Sequence, residues 1–546
     1  MLIDEKKLKG RKVAIFGTGI IAKSLVEENE NFKPDLFLDN YPKLEKMFGV
    51  DVVKPKKVAN IYDVYIIVAT MSYEVIKKQL LGYGLKEIED FCYYKTITNN
   101  HNTVIETLIK LRDFMSQHSE YVGCDLMNGF FLTGRKKELL INFFKEYAKK
   151  NTKYIFIAHT TAISEEKASD LLENVFFELP DILNWQGNYR EFIEIDKEEK
   201  GIEKIELDDD DIRYINDLQS LYYINDIKLS VRVCFVIMRF YKELLAIVKP
   251  SHILIGTDIK PEWRVLYYLA KKNKIQCLFW EYGWIPGTIM FELDGSAGRS
   301  RIAKDALYYK RLSNNYDLKK LQVIKRYILE TGIDTGEFLH TQNDKNELKK
   351  INPNCKTIFL IGAGIEREVK SSSYFWKENI SSIYGSMNEI LEDLDIICKK
   401  NNYNLIFKPH PGISNISSLK EAYSDVIWIE NMSVDEIIKI ADVAVTLYSA
   451  VDCKVLLYEK PLIQVGHSIL DNAGCSYVLK NRGEIIETTI KAINNGLLEN
   501  QKKHFDELMG KLLTNISWDD LNKEGIKYGI EVEKDFFVKL TELGGQ

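Results

Sequence analysis

NLIFKPHPG, residues 404–412, is a short unbroken apolar run that stops at a lysine and at a histidine set between two prolines. Apolar runs of this length without polar alternation belong to strands buried on both faces, as in the parallel sheet of an α/β domain. Around it the pattern repeats: TIFLIGAG (357–364) precedes it, MNEILEDLDIICKK (387–400) has helical spacing, and VAVTLYSA (443–450) and PLIQVG (461–466) follow. Strands alternating with helices predict a parallel sheet covered by helices. Ligands of such sheets bind where strands end at their carboxyl side, so the residues that stop each run carry the functional information.

Working outward, the region from Tyr121 repeats this order with YIFIAH (154–159), a helical stretch LSVRVCFVIMRFYKELLAIV (229–248), HILIGTD (252–258) and QCLFWEYGW (276–284). Nearer the N-terminus, KVAIFGTG (12–19), DLFLDN (35–40) and VYIIVAT (64–70) form a smaller strand-helix series. The expected fold is α/β: a pair of Rossmann-like domains facing a cleft, plus a small N-terminal Rossmann-like domain. The expected boundaries are 1–95 for the small domain and 96–120 for a helical connector carrying TVIETLIKLRDFM. Residues 121–340 form one domain of the pair, 357–500 the other, and 501–546 C-terminal helices that pack back on the others. The polar stretch 340–356 reads as the interdomain linker.

The chain's 546 residues are too many for one core, and its 45% hydrophobic and 28% charged composition is that of a globular protein. With 74 basic against 80 acidic residues the net charge is -6, which argues against a dedicated nucleic-acid binder. Eight cysteines stand singly, without a CxxC pair or nearby histidines at ligand spacing, and read as reduced thiols. No signal-peptide pattern and no membrane-spanning run is found, so a cytoplasmic protein with at most peripheral membrane association is expected. Oligomerisation is left open.

Five strand ends hold the candidates. Lys408, His410 and Pro411 present a cation and an imidazole on a backbone stiffened by proline, a pairing suited to a phosphate, although a loop histidine is commonly structural. Ser449 opens a helix expected to stop before Pro461; its hydroxyl caps that helix or, with free amides, meets a phosphate, and Lys454 lies a turn further on. Glu281 ends a buried strand as a candidate base or a solvated carboxylate. Gly283, Trp284, Pro286 and Asp294 then form an acceptor-side loop. Asp258 binds an acceptor hydroxyl or caps the next helix, and Gly362 and Gly364 let a ligand approach the backbone. In the small domain, Gly17, Gly19 and Asp39 outline an accessory nucleotide site, with Ala22 where a full GxGxxG has its third glycine. The acidic run LDDDDI (207–212) reads as a solvated helix start.

Glu281-Tyr-Gly-Trp-Ile-Pro-Gly-Thr with Asp294-Gly295, then Lys408-Pro-His-Pro, then Ser449 and Tyr458-Glu-Lys-Pro-Leu-Ile-Gln-Val-Gly466, resemble the bacterial capsule polysaccharide synthesis family over residues 250–480. That family includes transferases that add Kdo from CMP-Kdo to a lipid-linked acceptor. Tyr448-Ser-Ala-Val and the later Lys-Pro are more faintly similar to CDP-glycerol glycerophosphotransferases of teichoic acid synthesis. Both groups have the GT-B architecture and use cytidine-activated donors.

The resemblance implies that His410, Pro411 and Ser449 lie at the donor phosphate and Glu281 near the acceptor. The chain departs from the family at Lys454, where an acidic residue is usual, and at Glu459, where a glycine is usual. The implied chemistry is transfer of a sugar, or of a phospho-alcohol-type group, from a CMP- or CDP-linked donor to a surface glycan or its precursor. Lys408, His410 and Ser449 then hold the donor phosphate and Glu281 or Asp258 takes the acceptor proton, with no metal and no further cofactor, since no DxD stands at a strand end. A non-catalytic nucleotide-binding scaffold is the third reading.

Overall fold

The computed structural model describes residues 10–27, 32–42, 44–70, 73–86, 89–93, 104–129, 135–150, 153–159, 176–179, 201–221, 227–256, 261–332, 342–365, 369–410, 416–519, 528–534 and 536–545. Residues 10–93 belong to one compact unit, and the described residues from Val104 onward to another.

In the first unit β1 (Lys12–Phe16), β2 (Leu36–Leu38), β3 (Lys46–Met47), β4 (Val50–Val53), β5 (Val64–Val68) and β6 (Phe91–Tyr93) lie in the order β3-β4-β2-β1-β5-β6. Every pairing is parallel except β3 with β4. Alternate residues feed opposite faces, as strand geometry requires: Val13, Ile15, Tyr65 and Ile67 pack on one side, Ala14, Phe16, Ile66 and Val68 on the other.

The second unit holds two sheets. The first contains β7 (Asp125–Gly129), β8 (Tyr154–His159), β9 (Phe176–Leu179), β10 (His252–Ile255), β11 (Gln276–Tyr282), β12 (Thr288–Glu292) and β19 (Ser517–Asp519), ordered β19-β12-β11-β10-β7-β8-β9. The second contains β13 (Thr357–Ile361), β14 (Asn404–Lys408), β15 (Ile427–Trp428), β16 (Val443–Thr446), β17 (Leu462–Gln464) and β18 (Tyr477–Val478), ordered β15-β14-β13-β16-β17-β18 and parallel throughout. In both sheets the first strand lies centrally, with the second and third to one side and the fourth and fifth to the other. This doubly wound order puts its switch point between β7 and β10 in one half and between β13 and β16 in the other.

Local chemistry sets these elements. The helix Met387–Asn401 starts where the Ser386 hydroxyl accepts from the Glu389 amide at 3.2 Å and the Glu389 carboxylate accepts from the Gly385 amide at 3.0 Å. It stops at Asn402, which adopts the left-handed conformation at φ 55° that suits a helix end. It delivers the chain to β14, whose Asn404–Phe407 are wholly buried.

Three expectations of organisation change. The helix Val104–Gln117 is no free connector: Val104, Leu108, Leu111 and Met115 enter the core of the second unit beside the long helix Ile227–Val248. The expected linker also docks, because its helix Gln342–Leu348 buries Asp344, whose carboxylate accepts from the Glu430 amide at 3.1 Å. The acidic run is only partly solvated. Asp211 is buried and bridges Lys242 and Lys272 at 2.7 and 2.6 Å, so the neighbouring cations lower its pKa although burial opposes them.

Past the second sheet the helix Glu499–Asn515 leads back to the first, where β19 pairs antiparallel with β12. Phe536 and Phe537 of the helix Phe536–Gly545 then stack about Phe143, Tyr147 and Phe291.

Candidate functional site

The carboxyl edge of the second sheet gathers most of the residues predicted for the donor side. Register sets their level: Ile361 pairs with Lys408 and with Thr446, and Thr446 pairs with Gln464. Gly364, His410, Ser449 and the residues after Gln464 therefore leave four adjacent strands at about the same height.

The two glycines serve the histidine. The Gly362 amide donates to the Lys408 carbonyl at 3.0 Å, and a Cβ on Gly362 would stand 2.5 Å from the His410 nitrogen. A Cβ on Gly364 would stand 2.7 Å from Nδ1 of the His410 ring. Both distances are shorter than real carbon contacts, so glycine here lets His410 lie against the loop after β13. His410 itself is exposed. Lys408 is half-buried with its ammonium donating to the Glu430 carbonyl at 2.8 Å; burial lowers its pKa, while Asp344 and Glu430 oppose that shift.

Ser449 precedes a helix that begins at Val451 and ends at Leu457, starting within two residues of the expected place and stopping three residues short of Lys460. Its hydroxyl accepts from the Val451 amide at 3.1 Å, and its own amide donates to the Asp452 carboxylate at 3.1 Å. Asp452 is wholly enclosed, and burial pushes it up to about 7 against the hydrogen bond from the Ser449 amide. Lys454, expected to add charge for a donor, is buried on this helix and ion-paired with Asp435 at 3.1 Å. Its charge is compensated inside the fold.

The acceptor-side residues fare differently. Glu281 is half-buried within β11, which continues to Tyr282, and it belongs to the other sheet. Gly283, Trp284 and Pro286 are buried and build the turn of a β11–β12 hairpin, not an open loop. The Gly283 amide donates to the Thr288 carbonyl at 2.7 Å, and Trp284 meets Phe505 edge-to-face at 6.0 Å. Asp294 is engaged by Arg301 at 2.7 Å. Burial, reinforced by Asp294, pushes nearby Glu292 up to about 8, a carboxyl that the sequence reading passed over. Asp258 and Pro411 lie outside the described residues.

In the small unit Gly17 takes φ 127°, and its amide donates to the Leu38 carbonyl at 2.8 Å; a Cβ there would lie 2.5 Å from the Ala69 carbonyl oxygen. Asp39 does stand at the end of β2. Its carboxylate is held by the Thr18 hydroxyl at 2.5 Å and the Tyr41 amide at 2.8 Å, while Gly19 faces open space.

A second histidine went unnoticed in the sequence. His467, three residues past Gln464, sets its Nδ1 3.0 Å from an oxygen of Asp471. Its only sequence signal is the four-residue spacing to an aspartate just after PLIQVG. Among the described residues no cluster of three or more His, Cys, Asp or Glu side chains is placed to hold a metal ion, and no helix is long and apolar enough to cross a membrane.

Two doubly wound halves in one unit, with a histidine- and serine-bearing strand edge in the second, define a GT-B-like α/β protein. Residues 375–470, which span that edge from the helix before Ser381 to the loop after β17, match the family described as CDP-Glycerol:Poly(glycerophosphate) glycerophosphotransferase. No curated protein matches the chain. Among solved structures, the Thermosulfurimonas dismutans KpsC beta Kdo 2,7 transferase is 16% identical with a TM-score of 0.33, covering 56% of this chain and 89% of that one. The beta Kdo 2,4 transferase of the same protein is 13% identical at TM-score 0.35, covering 54% and 87%. UDP-GlcNAc 2-epimerase of Methanocaldococcus jannaschii, in complex with UDP-GlcNAc and UDP, is 12% identical at 0.34, covering 70% and 98%. Likenesses this distant have no bearing on function.

Proposed function

We propose that the chain is a transferase that moves a group from a cytidine-nucleotide-activated donor onto a bacterial surface glycan or glycoconjugate precursor. The observation that carries this reading is the coincidence of the glycerophosphotransferase match at 375–470 with the strand edge bearing His410 and Ser449. In this reading the imidazole of His410 and the hydroxyl of Ser449 hold the donor diphosphate, stabilising charge as it grows on the leaving nucleotide. Glu281, or Asp258, takes the proton from the attacking hydroxyl.

The same match favours a phospho-alcohol-type group carried on CDP. Sugar transfer is the second reading, supported by the order of the Glu281, Lys408 and Ser449 motifs. Calorimetric titration with CMP and CDP, with and without EDTA, tests the donor class: binding without divalent metal is expected, and no binding of either nucleotide overturns the proposal. Mass spectrometry of the product separates the two readings by whether the acceptor gains phosphorus. A protein that neither hydrolyses nor transfers any activated donor is a scaffold.

A further inference from the structure

His467 stands on the same edge as Ser449, one strand further on. Thr446 and Gln464 are paired, and Ser449 and His467 each lie three residues beyond them. A Cβ on Gly466 would stand 2.6 Å from the Ile380 carbonyl oxygen and closer still to that of Leu447, so glycine there lets the loop of His467 lie against the backbone that leads to Ser449. The His467 amide donates to the Ile380 carbonyl at 2.7 Å, which pins its backbone.

The ring is fixed as firmly. One Asp471 oxygen faces Nδ1 at 3.0 Å; the other accepts from the Ser468 amide at 2.9 Å and from the side-chain amide of Gln464. Gln464 is buried and further tied to the Gly466 carbonyl at 2.9 Å and the Ser476 hydroxyl at 3.0 Å. A carboxylate so held sets the tautomer: Nδ1 carries a proton and Nε2 is the atom turned outward. The His467 side chain is 35% exposed, so a ligand can reach the ring. Buried support behind a partly open imidazole is more than a surface ion pair needs.

We propose that His467, oriented by Asp471, is a catalytic residue that serves as the leaving-group acid on the donor phosphate; the proposal rests on the donor reading above. The acceptor oxygen bonds to the transferred group as the bond from that group to the nucleotide's phosphate oxygen breaks. The departing oxygen keeps the electron pair and takes the Nε2 proton, the acceptor's proton passes to the carboxylate base, and solvent reprotonates the imidazole. Asp471 stabilises the charged ring in the bound state. The segments packed against His467 bring Arg299 and Lys304 from one side and exposed Lys377 and Glu378 from the helix Tyr374–Asn379. Asp452, pushed up to about 7 and held by the Ser449 amide on this edge, changes charge between pH 5.5 and 8.5 as an imidazole does, so the contribution of His467 is read as the difference between the unaltered protein and His467→Gln, which leaves Asp452 in place.

The test uses the full chain and CDP-glycerol, a diester donor whose phosphates do not titrate in that interval. Affinity should fall as pH rises from 5.5 to 8.5. His467→Gln should weaken binding at pH 6 by about tenfold, the loss of a hydrogen bond to a charged group, and flatten the profile. Asp471→Asn should fall between the two, and His118→Gln, just past the helix Val104–Gln117 in the half that holds the first sheet, should match the unaltered protein. Melting curves confirm that each variant is folded; should His467→Gln melt early, Asp471→Asn carries the test. An unchanged affinity and profile in folded His467→Gln overturns the assignment of His467 alone. Failure of the unaltered protein to bind CMP, CDP and CDP-glycerol overturns the donor reading and this proposal with it.

Discussion

At Gly364 one methyl group decides where His410 can sit. The ring occupies the space a Cβ would need, so Gly364→Ala should displace the imidazole while the fold persists, since the ring is exposed. Affinity for CDP should drop by about tenfold, the same direction and size as for His410→Ala, as each removes one hydrogen bond to a charged phosphate; calorimetry at fixed pH reads both. Asp452 gives a different signature. Its folded pKa of about 7 lies above the ordinary 3.8, so the fold favours the neutral acid. The stability this confers is full below the unfolded value and is lost as pH rises through about 7. Asp452→Asn keeps an oxygen for the Ser449 amide without a charge, and should gain in melting temperature over the native protein as pH goes from 5.5 to 8.5. His410 and Ser449 were legible because proline, glycine and the end of an apolar run mark a strand edge. Lys454 was not: its partner Asp435 lies nineteen positions away, and nothing local in the sequence pairs them.

Among the elements, the strands of the second sheet were easiest to read because burial on both faces leaves unbroken apolar runs. The hairpin from β11 to β12 was harder. Its glycines, proline and aromatics look like a substrate loop, yet they are what a tight buried turn needs. A Cβ on Gly283 would coincide with the Thr288 hydroxyl, so Gly283→Ala should destabilise the unit by roughly 1–3 kcal/mol through overpacking, measurable by denaturant unfolding. The helix at 342–348 was obscured in another way. Its polar residues read as a linker, but the side chain of Asp344 caps backbone amides of residues far along the chain, a tertiary satisfaction that composition cannot show.

For the whole molecule, the separate cores of the two units predict that removing the first 102 residues leaves a folded protein that still binds CDP. A well-folded truncated chain without CDP affinity would move the donor site elsewhere. The return of the chain to β19 has a consequence for synthesis. Translation runs from the N-terminus, so β12 waits with an unpaired edge and the Phe143–Phe291 aromatic cluster stays uncovered while about two hundred further residues are made. The first half of the second unit thus completes its sheet only after the second half has emerged from the ribosome. A nascent chain arrested near residue 500 should be open to protease within its first sheet, and one released past residue 545 should be closed.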